Sequence, residues 1–365
     1  MLGSKVHIDQ VVPSFIRYDA ISVHARNVRA ALIAHGYHSE LYFQTSTTDV
    51  ANLGRPLSTM AVAADDRILI YHASTGSSAL EVVARQGSPV VLDYHNITPA
   101  SFFKQWSPST SSEVALGRRQ VAEFAPRAIG AIADSPLNER ELSSFGYANT
   151  AVAPLLIDLD AQSSDVNQPL FETLMAEKHA RGGPSLLFVG SLAPHKAPQD
   201  LIAMLAAFRQ IYHVDATLTL AGRSFGGRFA SALDQYVSDL GLSDAVHFTG
   251  PLAPDDLEAH WRSSDVFVCA SNHEGFCVPL LEAMSHNLPI VAFRAGAVPE
   301  TIEDAGIILD DKEPVTFAAA IRRVLEDQPL RDALASAQDR QLERYALPQA
   351  TKAFMLGLEA VINGV

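Results

Sequence analysis

Short runs of β-branched and aliphatic residues alternate with longer stretches whose apolar positions recur every three or four residues. In the first part of the chain this pattern predicts strands over 6–12, 38–43, 66–71, 89–93, 128–133 and 150–153. Helices are predicted between them over 21–36, 78–86, 113–124 and 136–145, the first with Val23, Val28, Leu32 and Ile33 as its apolar positions. Residues 155–183 break the rhythm with polar, Pro- and Gly-rich pieces and read as a linker. The alternation then restarts. Strands are expected over 185–190, 217–222, 245–250, 265–270, 289–293 and 306–309. Helices are expected over 198–212, 227–240, 254–263, 279–285, 313–326, 330–344 and 348–362. Such alternation implies parallel strands with crossover helices, hence two doubly wound α/β domains in tandem. Ligands of such sheets bind outside the strands' carboxyl ends, and two such domains facing each other would hold one in the cleft between them.

The segment from Ser271 to Met284 carries the most chemistry. A strand delivers the chain to Ser271-Asn272-His273-Glu274-Gly275-Phe276-Cys277-Val278-Pro279, and Gly275 lets the backbone approach a ligand. Pro279 stands where the first helical residue is expected, so the amides around Phe276, Cys277 and Val278 would point out of a helix N-terminus, a natural anion site. Glu274 and Glu282 flank that start, and each carboxylate can accept hydrogen bonds from a pair of sugar hydroxyls.

This segment resembles the E-x7-E motif of retaining glycosyltransferases of the family-4 type, with Cys277 where a second Gly is usual. Other elements agree. Leu186 to Lys196 is similar to the family's V-G-R-L-x-P-x-K element, Val246 to Leu252 to its base-contacting strand and loop, and Ala295 to Thr301 to its G-G-x-P-E element. In the first half, Asp19-Ala20-Ile21-Ser22 and Tyr94-His95-Asn96-Ile97-Thr98-Pro99 resemble acceptor-side loops. The resemblance implies a GT-B fold with two Rossmann-like domains facing across a cleft. The acceptor-side domain would span 1–170, the nucleotide-sugar domain 171–347, and a C-terminal helix over 348–365 would cross back to the first domain.

It further implies roles. Glu274 would touch the donor sugar's hydroxyls, Glu282 the ribose, and Lys196 the departing diphosphate, while Gly275, Phe276, Cys277, Val278 and Leu252 would line the donor. Ser191 stands where the family has an Arg, and Arg223 is the candidate to replace that cation. His95 is either a contact to the donor sugar from the first domain or a structural histidine. Asp19 either faces the acceptor or caps a helix. The donor would be a UDP- or GDP-sugar, and the acceptor a saccharide, glycolipid or metabolite. Two alternatives stand beside this reading: a sugar-phosphate synthase on the same fold, and a catalytically silent nucleotide-sugar binder.

The only D-x-D, Asp158-Leu159-Asp160, falls in the expected linker, so neither a metal nor another cofactor is expected. A helix N-terminus supplies about 1–2 kcal/mol toward an anion, against about 8 kcal/mol or more for typical catalysis. Lys196, positioning and domain closure must supply the rest, and Lys196→Ala is expected to lower turnover about 10²-fold or more without unfolding the protein. The net charge of −14, with both halves acidic, excludes non-specific nucleic-acid binding. Arg118-Arg119 reads as a solvated helix face, so peripheral membrane contact has no support. No apolar run is long enough to span a bilayer, the first residues lack a signal-peptide core, and two cysteines fit a reducing cytoplasm.

Overall fold

Two all-parallel sheets organise the chain in a computed structural model that describes residues 7–61, 67–159 and 165–364. The first has seven strands: β1 His7–Phe15, β2 Leu41–Ser46, β3 Arg55–Pro56, β4 Arg67–Ala73, β5 Val90–Tyr94, β6 Gly130–Ala133 and β7 Thr150–Val152. Their order is β3-β2-β1-β4-β5-β6-β7. The second has β8 Ser185–Val189, β9 Thr217–Ala221, β10 Val246–Gly250, β11 Val266–Cys269, β12 Ile290–Phe293 and β13 Ile307–Leu309, ordered β10-β9-β8-β11-β12-β13. Each sheet reverses its order beside its first strand, the doubly wound pattern expected from the alternation. The expected strand starts at Val6 and Asp66, and Asp160 of the D-x-D, lie outside the described residues.

The first unit comprises the chain up to Asp158 together with the chain from Tyr345 onward, and the second runs from Leu159 to Arg344. The C-terminal helix Leu347–Asn363 therefore belongs to the first sheet's core. Its Ala350, Phe354, Met355, Leu358 and Val361 pack with Ile8, Val28, Leu32, Ile70, Val91 and Ile132. Each large apolar side chain buried there is worth about 1.5–3 kcal/mol. Asn149 Nδ2 donates to the Val361 carbonyl at 2.7 Å, which holds the helix's last turn.

Three expectations need correction, and two short elements were not expected. The stretch read as linker contains the helix Gln168–Arg181, capped by the Asn167 side chain and ended by Gly182 in the left-handed conformation. In the first helix, Ala20–Ala34, Ile33 is 53% exposed, and the buried face consists of Ser22, His24, Ala25, Val28, Ala31 and Leu32. The short strand β3 and the helix Val298–Ile302 had no periodicity long enough to reveal them. Arg118 is not a solvated charge: it donates to the Ile97 carbonyl and pairs with Glu141. Among the described residues no helix is long and apolar enough to cross a membrane.

Candidate active site

β8 and β11 are neighbours at the point where the second sheet reverses its order, so the loops after them leave from its switch point. The loop after β8 passes Ser191 and reaches Lys196 in a short turn that Ala197 ends in the left-handed conformation. The loop after β11 carries Glu274. The Asn272 amide donates to the His195 carbonyl at 2.7 Å and ties the two loops together. Lys196 Nζ then donates to both Glu274 carboxylate oxygens, each at 2.7 Å.

The pair is well shielded, with Glu274 5% and Lys196 19% exposed at the side chain. Burial pushes the Glu274 carboxyl up, but the Lys196 charge and hydrogen bonds from Lys196 and Ser271 outweigh it and hold the pKa below its usual value. Burial pulls Lys196 down, and the Glu274 charge more than reverses that. Both groups are therefore ionised at neutral pH. An ammonium has three N–H groups, and two of them serve Glu274.

The segment after β12 braces this loop. The Ala297 amide donates to the Glu274 carbonyl at 2.9 Å, and Thr301 Oγ1 donates to the Phe276 carbonyl at 2.8 Å. Gly296 lies against the Glu274 backbone so closely that a Cβ there would sit 2.1 Å from the Glu274 carbonyl oxygen. The motif around Pro299 thus fixes the backbone that carries Glu274. The structure also adds Ser271, wholly buried at the end of β11, and Lys312, which donates to Asp200, Asn272 and the Ala270 carbonyl under the same loop.

The helix that follows runs Val278–Ser285, with Cys277 as its N-cap at φ 71°. Pro279 sits one position later than expected, where its missing N–H is still among the helix's unpaired first donors. Phe276, Cys277 and Val278 are buried. A hydrogen bond with Cys269, with burial added, pushes the Cys277 thiol well up, as suits a residue that contributes backbone rather than a nucleophile. Glu282 lies one turn into the helix, half-buried, and burial pushes its carboxyl up to about 7.

Ser191 and Arg223 are exposed on adjacent loops joined by the Leu192 amide, which donates to the Arg223 carbonyl at 2.8 Å. Gly222, just before Arg223, has no room for a side chain, since a Cβ would meet the Gly190 carbonyl oxygen at 2.0 Å. Leu252 is half-buried after β10, on the sheet's edge strand.

In the first unit, Asp19 is a helix cap: its Oδ2 accepts from the Ser22 amide and from Ser22 Oγ, both at 3.1 Å. The His95 side chain is only 1% exposed. Its Nε2 lies 3.0 Å from His72 Nδ1, and its Nδ1 lies 3.6 Å from Asp134 Oδ2, so both ring nitrogens face buried groups of the same unit. Burial pulls the His95 pKa down, but Asp93 and Asp134 carry it above its usual value.

Two Rossmann-like parallel-sheet units, the second with a buried acid–base pair beside a helix start, define the GT-B fold class. Residues 172–341 match the family described as Glycosyl transferases group 1. A D-inositol 3-phosphate glycosyltransferase of Salinispora tropica is 31% identical over 177 residues, covering 47% of this chain and 37% of the relative. A GDP-mannose-dependent alpha-(1-6)-phosphatidylinositol monomannoside mannosyltransferase of Mycobacterium tuberculosis is 28% identical over 243 residues, covering 62% and 61%. The first of these matches spans little more than a third of its relative's length. Among solved structures, Anabaena HepE in complex with UDP and glucose aligns at a TM-score of 0.73 with 18% identity, covering 97% of this chain and 100% of its own. Sucrose-phosphate synthase from Thermosynechococcus elongatus aligns at 0.74 with 17% identity, covering 98% and 100%.

Proposed function

We propose that the chain is a retaining glycosyltransferase that moves a sugar from a UDP- or GDP-sugar to a saccharide, glycolipid or metabolite acceptor, with no metal at the diphosphate. The buried Glu274–Lys196 pair, held beside the start of the Val278–Ser285 helix in a group 1 domain, carries this reading. Glu274 accepts from hydroxyls of the donor sugar and Glu282 from the ribose. The amides of Gly275, Phe276, Cys277 and Val278 meet the phosphates. Lys196 turns its third N–H to the diphosphate, and Arg223 supplies the cation that Ser191 lacks.

In the reaction, the bond from the anomeric carbon to the phosphate oxygen breaks and the acceptor oxygen bonds to the same face. The acceptor's proton passes to the departing phosphate, and a nucleoside diphosphate leaves. Charge grows on that leaving group, where fixed donors act more strongly on the transition state than on the ground state. Two buried free cysteines support a cytoplasmic setting. The relatives' names put cyclitol phosphates among the acceptors to try first.

Thermal unfolding with a panel of UDP- and GDP-sugars tests donor binding, since a ligand at 100 times its Kd stabilises the folded state by about 2.7 kcal/mol. Release of UDP or GDP on adding acceptor then separates the enzyme from a silent binder. No stabilisation by any donor, together with no nucleotide release, overturns the proposal.

A further inference from the structure

The two cysteines of the chain stand eight residues apart in sequence and meet in the interior of the second unit. Cys269 closes β11 and is paired in the ladder with Ala292 of β12, while Cys277 caps the Val278–Ser285 helix. Their sulfurs and a Glu274 carboxylate oxygen all lie within 4.8 Å of one another. Cys277 holds its place at φ 71°, where a side chain costs about 1–2 kcal/mol and glycine is unstrained. A thiol therefore stands there at a cost, beside the one other cysteine of the chain.

We propose that Cys269 and Cys277 are a redox modification site, which a peroxide closes into a disulfide and a dithiol reopens. The pair is polarised for this. A hydrogen bond from the Cys277 thiol, with help from Ser271, outweighs burial and holds the Cys269 thiol below its usual value. Ser271 Oγ lies 3.4 Å from the Cys269 sulfur, where its hydroxyl can donate to a thiolate. The hydrogen bond with Cys269, with burial added, pushes Cys277 well up. In the reduced chain Cys277 thus keeps the proton and Cys269 is the nucleophile. The Cys269 thiolate attacks one peroxide oxygen, the O–O bond breaks, and the departing hydroxide takes a proton and leaves as water. The product is a sulfenic acid. Its formation removes the charge that kept the proton on Cys277. Cys277 sulfur then bonds to Cys269 sulfur, the S–O bond breaks, and a second water leaves with the Cys277 proton. Two thiols are oxidised and one peroxide is reduced to two waters.

Closure disturbs the start of the helix. A disulfide sets its sulfurs about 2.0 Å apart. Cys269 is fixed by its ladder and only 1% exposed, whereas Cys277 lies in the turn and is 9% exposed, so the turn is the side that shifts. It carries Phe276 and Val278 with it and pulls against the hydrogen bond from Thr301 Oγ1 to the Phe276 carbonyl. The consequence for the donor rests on the sugar-transfer reading, which gives these amides to the phosphates; formation of the bond does not. The oxidised chain then holds a nucleoside diphosphate weakly, and a reducing compartment keeps the site open.

The full chain is treated with hydrogen peroxide, unfolded, assayed for thiols and digested with trypsin. Both cysteines fall in one tryptic peptide, 263–294. Free thiols should fall from two to none, the peptide should be lighter by two hydrogens, and dithiothreitol should restore both. UDP and GDP probe the donor site. For whichever raises the Tm of the reduced chain, oxidation should weaken binding about tenfold or more, and dithiothreitol should restore it. Cys269→Ala should show the same nucleotide shift before and after peroxide, with Cys269→Ser as the second variant should alanine fail to fold. Two retained thiols, a peptide heavier by oxygen, or disulfide-linked dimers overturn the proposal. So do thiols that stay blocked under reductant and return with a chelator, which mark a bound metal ion instead. A disulfide that forms while UDP and GDP binding is unchanged overturns the control of the donor site and leaves the sugar-transfer reading intact. A reduced chain that neither nucleotide stabilises counts against the sugar-transfer reading, while the thiol count and peptide mass still decide the disulfide.

Discussion

Replacing Lys196 with Met keeps the aliphatic stem and removes the ammonium. Glu274 then loses both 2.7 Å bonds while its carboxylate stays 5% exposed. Removing one partner of a buried pair costs about 3–5 kcal/mol, most of it from the charge left alone. For a unit of this size each kcal/mol lowers the Tm by about 2–4 °C, so the fall should be roughly 6–20 °C. The pH dependence reverses as well. In the wild type the folded-state pKa of Glu274 lies below its ordinary 4.5, so its contribution is complete above that pH and is lost as the pH falls through the folded value. In K196M the ammonium's charge and hydrogen bonds are gone, burial is opposed only by the Ser271 hydrogen bond and His195, and the folded pKa is expected to rise above 4.5. The contribution is then present below that pH and is lost as the pH rises through the new value, so the gap between the proteins widens toward neutrality. The double variant E274Q/K196M removes the stranded charge and should recover most of the loss. Urea unfolding of the three proteins from pH 5 to 8 is the assay. A K196M variant within about 1 kcal/mol of wild type at pH 7, or a double variant no more stable than K196M, would refute the reasoning. The expectation that Lys196→Ala affects turnover without touching the fold changes accordingly: activity and stability should fall together.

Three further outcomes follow from the same loop. Gly296→Ala puts a Cβ 2.1 Å from the Glu274 carbonyl oxygen at a positive φ, so it should cost about 2 kcal/mol or more and most of the activity. An unchanged melting curve with full turnover would contradict that contact. Thr301→Val leaves the Phe276 carbonyl without its 2.8 Å donor and should cost about 1–3 kcal/mol in denaturant unfolding while weakening donor binding. Wild-type values for both would show that the brace is idle. Glu282 has its folded pKa raised from 4.5 to about 7, so its contribution is present below 4.5 and is lost as the pH rises through about 7. E282Q should therefore match the wild type in stability at pH 5 and exceed it at pH 8, while donor affinity drops about tenfold or more. Equal stability at both pH values would show that the carboxyl is solvated.

Spacing revealed the elements whose partners are close in sequence. The helix Pro198–Tyr212 and every strand except the two-residue β3 are legible because each carries its own period and its own stop signals. Gln168–Arg181 was not, because no residue in it is buried, and a helix without a buried face leaves no apolar stripe to read. Its Asn167 cap and Gly182 stop were the signals available, and they were absorbed into the linker.

The candidate site divides along the same line. Glu274, Glu282 and the helix start came from local pattern, but the contact between Lys196 and Glu274 spans 78 residues and has no period of its own. The Ala295–Thr301 segment was visible as a motif, yet its mechanical role depends on a glycine lying against a backbone that spacing alone does not place beside it. The histidine cluster shows what a better reading would have used. His72 and Asp93 each lie in a strand buried from end to end, where a polar side chain is tolerated only if other groups meet it. Polar residues at such positions in neighbouring strands announce a shared partner before any fold is known. His95, read singly as a candidate sugar contact, gains a different set of neighbours once His72 and Asp93 are read with it.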